Sequence, residues 1–256
     1  MNILLLGKTG QVGFELHRQL SPLGTITAPG REELNLLDEQ AVSHYLLTIK
    51  PSLIVNAAAW TAVDAAETQK LEAERINTAL PRQLAKYSAI HSARLVHYSS
   101  DYVYPGNGEA PWQETSATAP LSSYGKTKLL GDKAIEQSGA DYLIFRTSWV
   151  YSARGNNFMK TLLHLAQKRQ ELNVVADQIG APTPARLIAQ ITTLAIYNHL
   201  AKGLYHLAPK GETSWYDFAK EIFRVSGHGI KVNPIPTSAY PTPATRPLNS
   251  RMEVSK

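Results

Sequence analysis

Cysteine is absent from the 256-residue chain, which excludes disulfides, thiolate zinc sites and cysteine nucleophiles. No apolar run approaches the ~18–20 residues of a membrane-spanning helix, and mean hydropathy is −0.22. The start, Met1 to Gly7, has too short an apolar stretch for a signal peptide and no basic lead-in, so the cytoplasm is the expected compartment. Like charges never run to five in a row. The net charge of +5 therefore reads as a mildly basic surface rather than a nucleic-acid interface, and it also suits an anionic small ligand. Internal repeats are missing too. At this length one large α/β unit with a smaller lobe needs no covalent staple, because roughly 70–75% of the unfolded surface can be buried.

What the sequence does contain is an alternation of short apolar runs and helical periodicity. Ile3 to Leu6 reads as a strand that stops at glycine, followed by helical spacing of Phe14, Leu16 and Leu20. Thr25 to Ala28, Leu53 to Val55, Arg94 to Ser99 and Tyr142 to Arg146 read as further strands. Asp38 to Ile49, Leu71 to His91 and Ser123 to Gln137 read as the intervening helices, with an interruption or new start required at Pro81. This rhythm predicts a Rossmann-type, doubly wound parallel sheet covered on both faces. After about Gly155 it weakens: helices are expected over 157–168, 188–200 and 214–223, with strands at Val174-Val175 and 204–207. Five prolines between Pro234 and Pro247 predict a loop there.

Gly7-Lys8-Thr9-Gly10-Gln11-Val12-Gly13 closes the first strand and opens the first helix. In that setting Gly7 permits a tight turn, Gly10 lets a pyrophosphate approach the backbone, and Gly13 lets helix and strand pack closely. At the end of the second strand, where a carboxylate would accept from the ribose of NAD, the chain has Pro29-Gly30-Arg31. Arg31 suits the 2′-phosphate of NADPH; a solvated surface arginine is the plainer alternative, and NADH stays possible.

Tyr124 and Lys128 stand at i and i+4 of a predicted helix, where an ammonium can lower the phenol pKa and ready it for proton transfer. With 12 tyrosines the spacing arises by chance, and it recurs at Tyr216 and Lys220 in the smaller lobe, where a structural reading is preferred. Context separates the two pairs. Ser99, Ser100 and Asp101 end a predicted buried strand, the place where open parallel sheets bind ligands, so a hydroxyl there can hold a carbonyl while Tyr124 protonates it. Taken without the other motifs, these three residues read more simply as a turn with a capping side chain.

With these motifs assembled, the sequence resembles the extended short-chain dehydrogenase/reductases, and within them the dTDP-4-dehydrorhamnose reductase family. The matching blocks lie in order at 7–13, 55–64, 96–104, 124–128, 146–151, 177–183 and 246–251, so the resemblance spans the chain. It implies that Gly10, Gln11 and Val12 hold the pyrophosphate, that Asn35 and Leu36 lie near adenine, and that Ala59, Trp60 and Thr61 lie near nicotinamide. Tyr98 belongs to the same cofactor set. Ser100, Tyr124 and Lys128 match the catalytic trio, Asp101 and Trp149 the sugar positions. The loop bearing Arg246, Asn249 and Arg251 would close over the nucleotide diphosphate. The reaction implied is hydride transfer from NADPH or NADH to the C4 ketone of dTDP-4-dehydro-L-rhamnose, giving dTDP-L-rhamnose for polysaccharide biosynthesis.

The implied domain plan is an NAD(P)-binding unit at 1–150, rejoined by 185–200, and a substrate lobe at 151–256. Some members bind magnesium at a dimer interface through glutamates. Here Glu15 matches one, but Arg186 stands where a second would be. No metal is therefore expected, nor a nucleic-acid or membrane partner, and the chain is expected as a monomer or weak homodimer. Ser100 replaces the usual threonine and Trp60 a common histidine. Members typically continue some tens of residues beyond the Arg246–Arg251 segment. The stop at Lys256 leaves open a truncated chain or a shortened paralogue with a weakened sugar site. Two alternatives stand beside the reductase: a non-catalytic NADP-binding regulatory subunit of the same fold, and a reductase or epimerase of another nucleotide sugar.

Overall fold

The computed structural model describes residues 1–256. Its first half alternates strand and helix: β1 (Asn2–Leu6), α1 (Gln11–Gln19), β2 (Thr25–Thr27), α2 (Glu39–Ile49) and β3 (Leu53–Asn56). Next come α3 (Lys70–Glu74), α4 (Leu80–His91), β4 (Arg94–Ser100), α5 (Ser123–Glu136) and β5 (Asp141–Thr147). Shorter pieces follow: β6 (Val150–Tyr151), α6 (Phe158–Ala166), β7 (Glu171–Val175), β8 (Ile179–Gly180) and β9 (Thr183–Pro184). The last are α7 (Ala185–Tyr197), β10 (Gly203–His206), β11 (Thr213–Ser214), α8 (Trp215–Ser226) and β12 (Lys231–Ile235).

Six parallel strands form the main sheet in the order β10-β5-β4-β3-β1-β2. Alternate residues of the strands feed two cores. On one face Ile3, Leu5, Val55, Val96 and Phe145 pack with Leu16 and Leu20 from the α1 side and Ile188 and Ile196 of α7. On the other, Leu4, Leu6, Ile54, Leu95 and Ile144 pack with Leu46 of α2, Leu84 of α4 and Ile135 of α5. Burial on both faces explains why β3 reads as unbroken apolar sequence up to Asn56 rather than as an alternation. The order of the strands reverses at β1: β2 lies to one side of it, and β3, β4, β5 and β10 lie to the other. Open α/β sheets bind ligands at that crevice, beyond the carboxyl ends of the strands.

β10 joins the main sheet beside β5, so the return of the chain after residue 150 runs beyond the 185–200 stretch read from sequence. The smaller body is built on α6, α8 and the parallel pair β7–β12, around Leu162, Leu172, Val174, Ile222 and Phe223. β12 runs two residues, Pro234 and Ile235, into the proline-rich stretch expected to be a loop, and no strand or α-helix follows in 236–247. Pro234 is accommodated because this sheet has only two strands, leaving one edge of each without a ladder. No helix is long and apolar enough to cross a membrane.

The expected 71–91 helix is interrupted at Arg75–Ala79, a π-helical stretch, and Pro81 sits in the first turn of α4, where its missing N–H costs nothing. The bulge brings the Asn77 carbonyl against α5, where a Cβ on Gly131 would stand 2.2 Å from it. Gly131→Ala should force the two helices apart and destabilise the fold by about 1–3 kcal/mol, measured as a lower urea midpoint with an unchanged slope.

Candidate active site

A cavity of about 470 Å3 opens at the β1/β3 crevice, lined by Gly7, Gly10, Gly30, Arg31, Asn35, Leu36, Ala59 and Trp60, among others. Gly7 holds φ +84°, and a Cβ there would stand 2.7 Å from the Ala57 carbonyl carbon. A Cβ on Gly13 would come within 2.0 Å of the Gly7 oxygen. Both positions therefore need glycine, the first for conformation and the second for the helix–strand approach. Gly10 caps α1 without any side-chain hydrogen bond, and no acidic residue stands in the first turn. The amides of that turn are free to receive an anion, and the macrodipole favours one. The cradle fits a dinucleotide pyrophosphate.

The remaining cofactor candidates fall in several places. Arg31 is exposed on the cavity wall and makes no ion pair, while Lys8 pairs with Glu33 at 3.3 Å. The Gln11 side chain turns to the smaller lobe, donating to the Val150 carbonyl at 3.4 Å and accepting from Ser152 and Asn157. Val12 packs on the core, and Thr61 is exposed beside Trp60. Tyr98 presents its carbonyl, not its ring, to the site: the phenol bonds Thr192 at 2.8 Å on the α7 side, and burial pushes its pKa up.

The catalytic candidates converge. Ser100 Oγ donates to Asp101 Oδ1 at 3.0 Å and accepts from the Tyr102 amide at 3.2 Å. Burial pushes the Tyr124 phenol up to about 12, and the Ser100 hydroxyl pulls it back. Lys128 Nζ donates to the Tyr98 carbonyl at 2.5 Å and stands 3.5 Å from His97 Nε2. Burial lowers the Lys128 amine to about 8, against the pull of Asp132 one turn further along α5. Lys128 is not among the groups that shift the Tyr124 phenol in the chain without coenzyme. Desolvation dominates both groups and moves them towards their neutral forms.

Asp101 is fully buried, and burial raises its carboxyl to about 6, with the Ser250 and Ser100 hydroxyls lowering it. Its Oδ2 has no hydrogen bond of good geometry. Trp149 takes φ +48° and stacks on Trp215 with ring centroids 3.6 Å apart. Arg246 pairs with Asp64 at 2.7 Å and Arg251 with Glu212 at 2.7 Å. Asn249 is buried and donates to the Asn107 and Ala110 carbonyls, so its side chain shapes the loop. Arg186 Nε lies 3.7 Å from Glu15. The second tyrosine–lysine pair sits on α8, where Lys220 stands 5.0 Å above the Tyr216 ring and 3.7 Å from Asp217.

Comparison with known proteins gives the family and the fold. Residues 1–256 match the family described as RmlD substrate binding domain. A dTDP-4-dehydrorhamnose reductase of Escherichia coli K12 is 50% identical over 270 residues, covering 100% of this chain and 90% of that protein. The chain belongs to the dTDP-4-dehydrorhamnose reductase family. A crystal structure of such a reductase from Clostridium acetobutylicum shares its fold with TM-score 0.95 at 38% identity, over 99% of this chain and 90% of that one. Another from Bacillus anthracis, in complex with NADP, has TM-score 0.94 at 34% identity over 99% and 90%.

Several groups that organise this family site escaped the sequence reading. Asn77 accepts from the Trp60 amide at 2.9 Å and donates to the Trp60 carbonyl and Thr127 Oγ1 at 3.0 and 3.1 Å. It thereby ties the cofactor-side loop to α5. Trp215, the stacking partner of Trp149, carries no local signal at all. Asp132 did have one: it repeats the i, i+4 step from Lys128. Titrating the free enzyme should show Lys128 losing its proton as pH rises through about 8, while ordinary lysines hold theirs. Nitrogen-15 NMR of labelled lysine, with Lys128→Met to assign the signal, measures this directly.

Proposed function

We propose that the chain reduces the C4 ketone of dTDP-4-dehydro-L-rhamnose to dTDP-L-rhamnose with NADPH. The observation that carries this reading is the bond between the Ser100 hydroxyl and the Tyr124 phenol, one helical turn before Lys128, with Trp60 of the cavity wall packed against the Tyr124 cluster. The chain is also half identical to a reductase of that name. The NADP complex of the Bacillus anthracis relative supports the choice of coenzyme, as does the unpaired guanidinium of Arg31 at the adenosine end.

In this reading the first-turn amides of Gln11 and Val12 bind the pyrophosphate, and Gly10, whose own amide donates to the Gly7 carbonyl, leaves room for it. Asn35 and Leu36 border the adenine, and Arg31 faces the 2′-phosphate. Bound there, the nicotinamide supplies a hydride to the sugar C4. Ser100 donates a hydrogen bond to the ketone oxygen and orients it. Tyr124, kept protonated by burial, gives its proton to that oxygen as the C4–H bond forms, leaving an alcohol and a phenolate. Lys128 follows one turn later on α5, and its ammonium stabilises the phenolate until a proton returns. Asp101 and Trp149 border the sugar, and Arg246 turns towards the diphosphate. Asn249 and Arg251 hold the loop that carries it. Residues 1–150 with 185–207 form the coenzyme unit in this scheme, and the other segments after 150 form the substrate lobe.

The deciding experiment follows loss of reduced-nicotinamide absorbance with dTDP-4-dehydro-L-rhamnose. Tyr124→Phe should lower kcat by about 10²–10⁴-fold while leaving NADPH binding intact. If wild-type enzyme binds NADPH and the sugar nucleotide is untouched, the reading fails. Arg31→Ala should weaken NADP+ by about tenfold or more, the scale of one charge-assisted contact, and leave NAD+ unchanged. Calorimetric titration with the two coenzymes distinguishes this from a general loss of the cavity.

A further inference from the structure

Two carboxylates three residues apart, Asp64 and Glu67, sit on the single helical turn between the Trp60 loop and α3. They face different parts of the site. Asp64 holds the C-terminal loop: Oδ1 accepts from the Ala244 amide at 3.1 Å and Oδ2 from Arg246 Nη2 at 2.7 Å. Glu67 holds the catalytic helix: Oε1 accepts from the Ser123 amide at 2.8 Å and Oε2 from the Ser123 hydroxyl at 2.9 Å. Ser123 immediately precedes Tyr124.

Each contact has a reason to be there. Ser122 caps α5 by taking the Gly125 amide, which leaves the Ser123 N–H as an orphan donor of the first turn. A carboxylate suits both that donor and the positive end of the helix. On the other side, Arg246 Nη1 is buried without a partner, so the guanidinium keeps an unsatisfied donor beside its bond to Asp64. Between the carboxylates, Ala66 is fully buried and packs with Trp60, Val63 and Tyr102 around the Tyr124 ring. Ala66 thus anchors the turn that carries both carboxylates and is the packed route by which a displacement at Asp64 would reach Glu67.

We propose that the Asp64–Glu67 turn is a positioning element that links seating of the Arg246 loop on the substrate diphosphate to placement of the Tyr124 acid. It rests on the reductase reading for the identity of the ligand. Asp64 and Glu67 touch neither substrate nor reacting atoms; both act through Arg246 and Ser123. Were Glu67 a helix cap and nothing more, a change at Asp64 would leave the start of α5 untouched, and that difference decides the matter.

The test uses the full chain with Asp64→Asn, Glu67→Ala, Glu67→Gln and the Asp64→Asn/Glu67→Ala double variant. Hydrogen exchange is read at the amides of residues 123–126 without ligands. Asp64→Asn should speed exchange there about tenfold or more, the loss of one charge-assisted bond relayed through the turn. In turnover, Glu67→Ala should lower kcat about 10- to 100-fold with NADPH affinity unchanged. It should also enlarge the isotope effect with deuterated NADPH, because the chemical step becomes limiting. Glu67→Gln, which keeps one acceptor, should recover most of the rate. Asp64→Asn should raise KM for the sugar nucleotide, and the double variant should lose less than the product of the single losses. Unchanged exchange at 123–126 in Asp64→Asn, or strictly multiplicative rates with an unaltered isotope effect, overturns the link. A wild-type enzyme that leaves the sugar nucleotide unreduced defeats the reductase reading instead, while the exchange data still decide the coupling. If Glu67→Ala does not fold, Asp64→Asn and Glu67→Gln carry the same decision.

Discussion

A buried ion pair beneath the catalytic helix governs the structure above it. Asp132 of α5 is fully buried and lies 3.2 Å from Arg146 of β5, itself almost inaccessible. Ser99 of β4 donates to the same carboxylate at 2.7 Å. Arg146 passes on to Tyr104 at 2.9 Å, Tyr104 to His206 of β10 at 2.6 Å, and His206 to the Glu253 carbonyl at 2.8 Å. Burial works against the Arg146 charge, but Asp132 and Tyr104 outweigh it, so its pKa rises. Three adjacent strands are thus fastened to one helix. Removing either ion would strand the other in a dry interior at a cost of about 3–5 kcal/mol. The arrangement gives α5 a fixed height over the sheet, and a fixed height is what a proton donor and its lysine require.

That fixed helix meets the coenzyme cradle because of topology. The strand ends of β1 and β3 open the crevice, and the chain leaving β3 runs directly along it as Ala57 to Trp60. It is then held to α5 twice, through Asn77 to Thr127 and through Glu67 to Ser123. The π-helical bulge at 75–79 makes the first of these ties possible, since it aims Asn77 back at the Trp60 backbone. An irregular helix at such a point is in keeping with the habit of π-bulges to mark functional sites. Coenzyme loop and acid are therefore parts of one framework, and the C-terminal loop joins it through Asp64.

The parts of this framework that could be read from sequence are those with a period or a local rule behind them. The doubly wound sheet followed from apolar runs alternating with helical spacing, and the glycine turn from its place between β1 and α1. Tyr124 with Lys128, and Ser100 at a strand end, followed from spacing and position. What stayed hidden needs long-range contact. Asn77 and Thr127 are 50 residues apart, and Asp64 and Arg246 are 182 apart. No periodicity connects such pairs. The two-residue strands of the smaller lobe are likewise too short to carry an alternation, and β12 was masked by Pro234, tolerated only because its sheet has two strands. The tyrosine–lysine spacing places the two residues one turn apart on α5, but the burial that is the largest influence on both groups is not written in an i, i+4 pattern.

Desolvation in this site works in the direction a ketone reduction needs. A phenol raised to about 12 by burial is fully protonated at neutral pH, so in the proposed mechanism the acid is loaded before the hydride moves. A lysine lowered only to about 8 is still mostly charged there. In that mechanism the moment of greatest need comes after transfer, when a buried phenolate would otherwise stand unpaired. An ammonium one helical turn away would answer that charge without having drawn the proton off beforehand. Asp132 is what keeps the balance: it offsets part of the burial cost on Lys128, and it can do so because Arg146 and Ser99 hold it in place. The buried pair below the helix and the proton chemistry above it are in this sense one electrostatic arrangement.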